Sequence, residues 1–330
     1  MLLTKVTGGK MADQPVDWMR VNKTLFPHSV RRRDRFLKRG LDFAHYTSNE
    51  GAQKILQNQT VWLRSTTCMN DYSEVTHGER CFRAAWHGDS GKALKAALEK
   101  CHKGITQEVG KLFDDHVATI VTGSYIACLS EHMPRERDFG RLSMWRAYSG
   151  GGVALILDKT PFFSTTDALN AYSSPVAYLD DRQFGTMILE VASNIETECA
   201  FISSLDRQHM LQAVFNMWKF AILCTKHPAF AEEREWRVTY TPGIGPQSSV
   251  LVRKIQTFQG LTQVIYELPL RNIPEQGLSG IEVKELIKQV LIGPTQFGTP
   301  LAHAVWFLLK DAGVDKPDDR IKFSNVPLRI

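Results

Sequence analysis

The chain has 330 residues, 43% of them hydrophobic and 23% charged, the make-up of a globular protein of one large or two ordinary domains. Disordered, collagen-like and coiled-coil descriptions of the whole chain are excluded, and a core can form without disulfide or metal staples. Forty Lys and Arg against 35 Asp and Glu leave a net charge of +5, which admits an acidic partner without demanding one.

No apolar run approaches the roughly 18 residues of a membrane span, so none is expected. The N-terminal stretch lacks the apolar core of a secretory signal. The cysteines at 68, 81, 101, 128, 199 and 224 form no C-x-x-C pair. A zinc ribbon is therefore not expected, and reduced thiols in a cytoplasm are the simplest reading.

In chain order, the first marked segment is RRRDRFLKRG at 31–40. It reads as a solvated helix face or arm, with residues 1–40 a basic extension. The sharper reading makes Arg31, Arg32, Arg33 and Arg35 a phosphate-contacting arm for nucleic acid. LDFAHYT at 41–47 alternates as a strand, with Phe43, His45 and Thr47 on one face. Ser48 caps a short helix over 51–59, and TVWLR at 60–64 is a second strand. After a polar turn, a helix runs from about Tyr72 to Trp86. The charged, weakly amphipathic stretch that follows reads as an outer helix.

SYIACLS at 124–130 reads as a buried strand. RLSMWRAYSGGG is a short helix stopped by glycines, and VALILD at 153–158 is another buried strand. Residues 181–225 are mostly helical, with Leu211, Val214, Phe215, Trp218 and Ile222 as a core stripe. EWRVTYT, VLVRKIQTF, TQVIYELPL and KQVLIGP read as strands, followed by a helix around Leu301–Leu309 and a short strand, RIKFS. The irregular order of strands and helices predicts an α+β fold with a mixed, mostly antiparallel sheet and flanking helices. Residues 41–330 are expected to form a single domain with a helical insert around 160–230.

The chain carries no P-loop, G-x-G-x-x-G, G-x-S-x-G or H-E-x-x-H motif. What remains is a set of polar residues near strand ends. Glu235 and Arg237 share one face of a strand, as a cross-strand surface pair or as a cleft wall. Asn70 and Asp71 suit a turn and helix cap, and Asp71, Glu74 and His77 progress along a helix edge. Trp145, Arg146 and Tyr148 precede the glycine triplet.

Together, AHYTS, GAQKIL, VWLRS, MND-x-x-E, CLSE, SMWRAYSGGGVALILD, KHPAFAEEREWRV and the closing IGP and VPLR resemble the bacterial domain of unknown function 2971, over about 41–330. More distantly, the His-Tyr-Thr strand end with its following helix and strand is similar to the opening of ADP-ribosyltransferases of the His-Tyr-Glu type. That resemblance implies an ADP-ribosyltransferase-like core with His45, Tyr148 and Glu235 as catalytic residues and NAD as the substrate consumed. It departs in one place, since Tyr148 sits at a helix end rather than on a strand.

The implied chemistry is cleavage of the nicotinamide–ribose bond through an oxocarbenium-like transition state. Glu235 would stabilise the developing charge, His45 would orient the ribose, and Tyr148 or Trp145 would stack on nicotinamide. Arg146 or Arg237 would hold the pyrophosphate. Ser130 would contact ribose, with Tyr46, Thr47, Asn70, Asp71 and Glu74 forming the cleft wall. No metal is expected. The acceptor would be a protein, a nucleic acid or water, and a toxin, effector or phage-defence role fits such a bacterial enzyme. Two other readings stay open: a non-catalytic module binding a nucleotide or partner, and a metal-dependent nuclease or phosphodiesterase using His45, Asp71, Glu74, His77 and Glu235, with Mg²⁺ or Mn²⁺ positioning a water.

Overall fold

The computed structural model describes residues 16–69, 73–164, 166–258 and 260–327. The basic segment lies in the second of two helices, α1 (Trp18–Leu25) and α2 (Pro27–Lys38), and is not a loose arm. Asp17 caps α1 by accepting from the Arg20 N–H at 3.0 Å, and Pro27 opens α2, where its missing N–H has no cost. Both helices bury one side: Val21 and Leu25 enter one core, while Phe36 stacks on Phe43 at 4.5 Å in another.

The chain then runs through β1 (Asp42–Thr47), α3 (Asn49–Asn58) and β2 (Thr60–Ser65). Ser48 caps α3 as expected, accepting from Gly51 N–H. Next come three helices, α4 (Ser73–His87), α5 (Asp89–Cys101) and α6 (Ile105–Thr122). Strand β3 (Tyr125–His132) leads to the short α7 (Leu142–Met144), which continues as a π-turn over Trp145–Ser149, and then to β4 (Val153–Leu157). Two short strands, β5 (Tyr172–Pro175) and β6 (Ala177–Tyr178), precede α8 (Asp181–Thr197), α9 (Cys199–Ser204) and α10 (Arg207–Leu223). The last third holds β7 (Thr225–Lys226), β8 (Glu235–Tyr240), β9 (Val252–Phe258), β10 (Leu261–Pro269), α11 (Val283–Leu286), β11 (Ile287–Ile292), α12 (Gly298–Asp311) and β12 (Ile321–Phe323).

The architecture is α+β. The main sheet runs β12-β11-β4-β1-β3-β2-β10-β9, with β8 and β5 added beside β3. Its pairings are antiparallel except β11 with β12. A separate parallel pair joins β6 to β7. The 91–116 stretch does not lie wholly outside. Its Leu94, Leu98, Ile105, Val109 and Phe113 face α8 and α10 across a helical core. That core draws on three separated segments, 21–26, 75–120 and 184–224, so the helical layer extends beyond residues 160–230. No helix among the described residues is long and apolar enough to cross a membrane.

Strand β3 organises the sheet. One edge pairs with β8 without a break from Tyr125 opposite Tyr240 to Ser130 opposite Glu235. The other edge is shared: Ser130–His132 pair with β1, and Tyr125–Ile126 pair with β2. Between them, 127–129 have no strand partner on that edge, so β1 and β2 diverge and the sheet splits. Helix α3 bridges the two strands beyond the split.

The glycine triplet holds β4 close to the end of β1. A Cβ on Gly152 would lie 2.4 Å from the Thr47 carbonyl oxygen and 2.8 Å from Ser48 Cα, both backbone atoms with no rotamer to yield. Gly152→Ala is expected to cost about 1–3 kcal/mol, as overpacking against rigid atoms does. Chemical denaturation checks this; unchanged stability would contradict the close approach.

Candidate functional site

The split opens onto a cavity of about 290 Å³, close to the lower end of ligand-pocket sizes. Its walls come from β1, α3, β2, β3, the π-turn and the start of β8. Alternate residues of β3 and β8 face opposite sides of the sheet. Cys128, Ser130 and Glu235 face this cavity, whereas Trp236 and Val238 line a second, mostly hydrocarbon cavity of about 140 Å³ on the other face.

His45 sits in the gap and borders both cavities. Its Nδ1 lies 3.0 Å from the Cys128 carbonyl oxygen, inside the stretch of β3 that lacks a strand partner. A carbonyl only accepts, so Nδ1 carries the proton and Nε2 presents a lone pair. Burial lowers the His45 pKa and outweighs the opposing hydrogen bond, so the ring is neutral at pH 7.

Glu235 is 5% exposed and borders the cavity at the first residue of β8. Arg237 grips both its oxygens, Nε to Oε1 at 2.7 Å and one terminal nitrogen to Oε2 at 3.1 Å. Lys226 Nζ stands 3.5 Å from Oε2. Burial alone would raise this carboxyl's pKa, but Arg237 and Lys226 reverse that and hold it well below the ordinary range, with help from the Cys128 side chain. The carboxylate is charged in the interior because its counter-charges are buried with it.

A second carboxylate joins the same cluster. Glu233 accepts from the Tyr148 hydroxyl at 2.6 Å and from Lys226 Nζ at 2.6 Å. Lys226 thereby bridges two carboxylates only two residues apart in sequence. Arg234 between them has φ +47°, a left-handed conformation uncommon outside glycine. This kink joins the turn carrying Glu233 to the strand carrying Glu235, with both carboxylates on one ammonium. Arg141 fastens the turn. Its buried guanidinium donates to the Glu232 and Glu233 carbonyls at 2.9 Å each, to Ser130 Oγ at 2.7 Å and to Glu136 Oε1 at 3.0 Å. Its backbone N–H donates to the Tyr46 hydroxyl at 2.8 Å. Burial pushes that Tyr46 hydroxyl's pKa up to about 12.

Of the residues singled out from sequence, His45, Tyr46, Thr47, Ser130, Tyr148 and Glu235 border the one cavity. Three others do not. Trp145 is 0% exposed, with its ring edge-on to Tyr46 and its N–H on the Phe139 carbonyl, so it packs the core and has no face for a ligand. Arg146 is exposed outside the lining. Arg237 is 0% exposed and its guanidinium is turned to Glu235 and the Leu223 carbonyl. The Glu235/Arg237 face of β8 is thus interior, not a surface ion pair.

Asn70 and Asp71 lie outside the described residues, as does the side chain of Glu74. His77 is apart from the cavity, with Nε2 2.9 Å from the Leu179 carbonyl oxygen. Among the described residues no group of three His, Cys, Asp or Glu is arranged to hold a metal ion. In the basic segment, Arg31 pairs with Glu190, Arg32 with Glu131 at 2.6 Å and Arg33 with Asp34 at 2.7 Å, while Arg35 is exposed.

Sequence reasoning passed over Glu233, Arg141, Trp62 and Arg64, of which Glu233, Trp62 and Arg64 line the cavity. The period-2 pattern of TVWLR was the available signal for the last two, since Thr60, Trp62 and Arg64 share a strand face.

The model of a family described as protein of unknown function (DUF2971) matches residues 144–238, from the π-turn with Tyr148 through Glu235 and Arg237. This supports the DUF2971 resemblance. Comparison with curated proteins and with solved structures gives no match.

Because the Glu235 pKa is depressed in the folded chain, its ionisation contributes stability that is complete above the unfolded carboxyl value. That contribution is lost as pH falls through the folded value. Glu235→Gln leaves Arg237 and Lys226 short of a buried counter-charge, and is expected to cost about 3–5 kcal/mol at pH 7. The gap to wild type should narrow steadily below about pH 4.3. Urea unfolding at a series of pH values checks both; a gap independent of pH would contradict an ionised Glu235.

Proposed function

We propose that the cavity in the sheet split is a nucleotide site that cleaves NAD at the nicotinamide–ribose bond, on an ADP-ribosyltransferase-like core. The observation that carries this reading is that His45, Tyr148 and Glu235, drawn from three separated segments, border one cavity. The protein would be an NAD-consuming transferase or glycohydrolase acting in the cytoplasm. Its acceptor would be a protein, a nucleic acid or water, in keeping with a toxin, effector or phage-defence role.

The chemistry follows from the residues in place. A buried, ionised carboxylate stabilises positive charge developing on the ribose far better than a solvated one, since little water competes for it. Glu235 meets that requirement, and Glu233 places a second negative charge beside the same lysine. The neutral His45 offers Nε2 as an acceptor for a ribose hydroxyl, with Nδ1 fixed by the Cys128 carbonyl, so ring orientation is set before binding. Tyr148 is positioned through Glu233, and its ring would stack on the nicotinamide.

A second reading draws on a specific feature. Both oxygens of Glu235 are already engaged by Arg237, which suits a carboxylate that shapes a binding site without taking part in bond cleavage. The protein would then be a nucleotide-binding module.

Mass-spectrometric detection of nicotinamide released from NAD, with and without RNA, DNA and cell lysate, separates the two. His45→Gln is the sharper variant, because His45 stands outside the buried charge cluster and its loss leaves no unpaired charge. Wild type is expected to release nicotinamide, with His45→Gln and Tyr148→Phe at least tenfold slower. NAD-dependent thermal stabilisation without release under any condition would favour the binding module; neither release nor stabilisation would overturn both.

A further inference from the structure

The cations that border the cavity are not equivalent. Lys226 is held between Glu233 and Glu235. Lys54 pairs with Glu50 at 2.6 Å. Arg64 is the one lining cation that has no carboxylate partner among the described residues. Two of its N–H groups are occupied, Nε on Gln263 Oε1 at 3.2 Å and one terminal nitrogen on the Cys68 carbonyl at 2.9 Å. A guanidinium has five N–H donors in a planar fork, so three stay uncommitted among the described residues. Both of these partners are neutral, so among the described residues no carboxylate compensates the positive charge.

The surroundings hold the fork in place. The guanidinium carbon lies 4.6 Å from the centre of the Phe258 ring, a cation–π contact that fixes the plane. Arg64 is half-buried on β2, on the same strand face as Thr60 and Trp62, which also line the cavity. Thr60 Oγ1 is buried without a hydrogen-bond partner among the described residues. On the β8 side the two acids are matched by Lys226 and Arg237, and the β2 side, across β3, holds a guanidinium and two aromatic rings. A ligand matching both sides is polar at one end, and anionic and flat at the other.

We propose that Arg64 is the phosphate-binding group of the cavity, and that the β2 wall formed by Trp62, Arg64 and Phe258 selects a phosphorylated nucleotide over the unphosphorylated nucleoside. The proposal rests on the cavity being a nucleotide site and adds the group that recognises its anionic part, which Arg146 and Arg237 are not placed to do. An arriving phosphate would take two of the uncommitted N–H groups in a bidentate contact and neutralise the charge. Burial lowers the Arg64 pKa from its ordinary value, a penalty that a bound anion relieves.

Equilibrium binding of ADP to the full chain tests this, with Arg64→Gln and Arg64→Lys as variants and inorganic pyrophosphate as competitor of the wild type. Expected are ADP binding by wild type, displacement by pyrophosphate, a loss of tenfold or more in Arg64→Gln, and an intermediate loss in Arg64→Lys, which keeps charge but not the fork. The pyrophosphate arm requires no variant, so it stands even where a substitution impairs folding. ADP binding unaffected by both variants, indifference to pyrophosphate, or no ADP binding by wild type would overturn the proposal. Arg64-dependent ADP binding without nicotinamide release from NAD would leave the phosphate site standing and remove only the NAD-cleaving reading.

Discussion

A carboxylate charged in the interior constrains everything around it. Glu235 can stay ionised at 5% exposure only because Arg237 and Lys226 are buried with it and because Arg237 meets both oxygens. Two buried charges repay their desolvation only with good geometry and saturated hydrogen bonds. That demand fixes β8 against β3, places the end of α10 where its Leu223 carbonyl takes a third bond from Arg237, and orders the β7 lysine. The helical layer and the sheet are therefore joined through a polar cluster as well as by apolar packing. Such a cluster is a costly way to gain stability, which is the reason to look for its use in the adjoining cavity.

The split in the sheet is the second element of the account. Strand β3 has one continuous neighbour on one edge and two partial neighbours on the other. A buried strand edge with unpaired groups is unfavourable, and His45 answers it by donating to the Cys128 carbonyl where no strand reaches. The same contact selects the imidazole tautomer and turns Nε2 away from β3. A structural requirement thus leaves an acceptor in the cavity, and the Arg141 hub, tied to β1, β3 and the Glu232–Glu233 turn, keeps the walls in register. Rigid first contacts of this kind are what a binding or catalytic site needs.

Much of the fold was legible in the sequence. The alternation in DFAHYT, the apolar run VALIL and the cap at Ser48 mark elements whose local signals agree with their tertiary roles. The α+β class followed from the order of elements. What was not legible depended on pairing over long distance. EWRVTY, VRKIQTF and LTQVIYELP were each readable as strands, yet β8 joins β3 while β9 and β10 extend β2, and nothing local distinguishes those partners. The arginine run at 31–39 read as a solvated helix face or an arm; it is a helix, but its carboxylate partners Glu131 and Glu190, about a hundred residues or more away, were not legible. Trp145 and Arg237 were polar or aromatic in the right neighbourhood but point into the core. Glu233 and Arg64 were unremarkable by type; the period-2 pattern of β2 puts Arg64 on one face with Trp62, but only the tertiary placement of that face and the kink at Arg234 show that both residues border the cavity.

A nucleotide bound in the split between β1 and β2, as proposed, would shield the backbone around it. Hydrogen–deuterium exchange with and without saturating NAD reads this directly along the whole chain. Slowed exchange is expected, confined to peptides covering 42–65, 125–130, 144–149, 226, 233–237 and 252–258. Protection elsewhere, or none at NAD concentrations that stabilise the protein thermally, would contradict it.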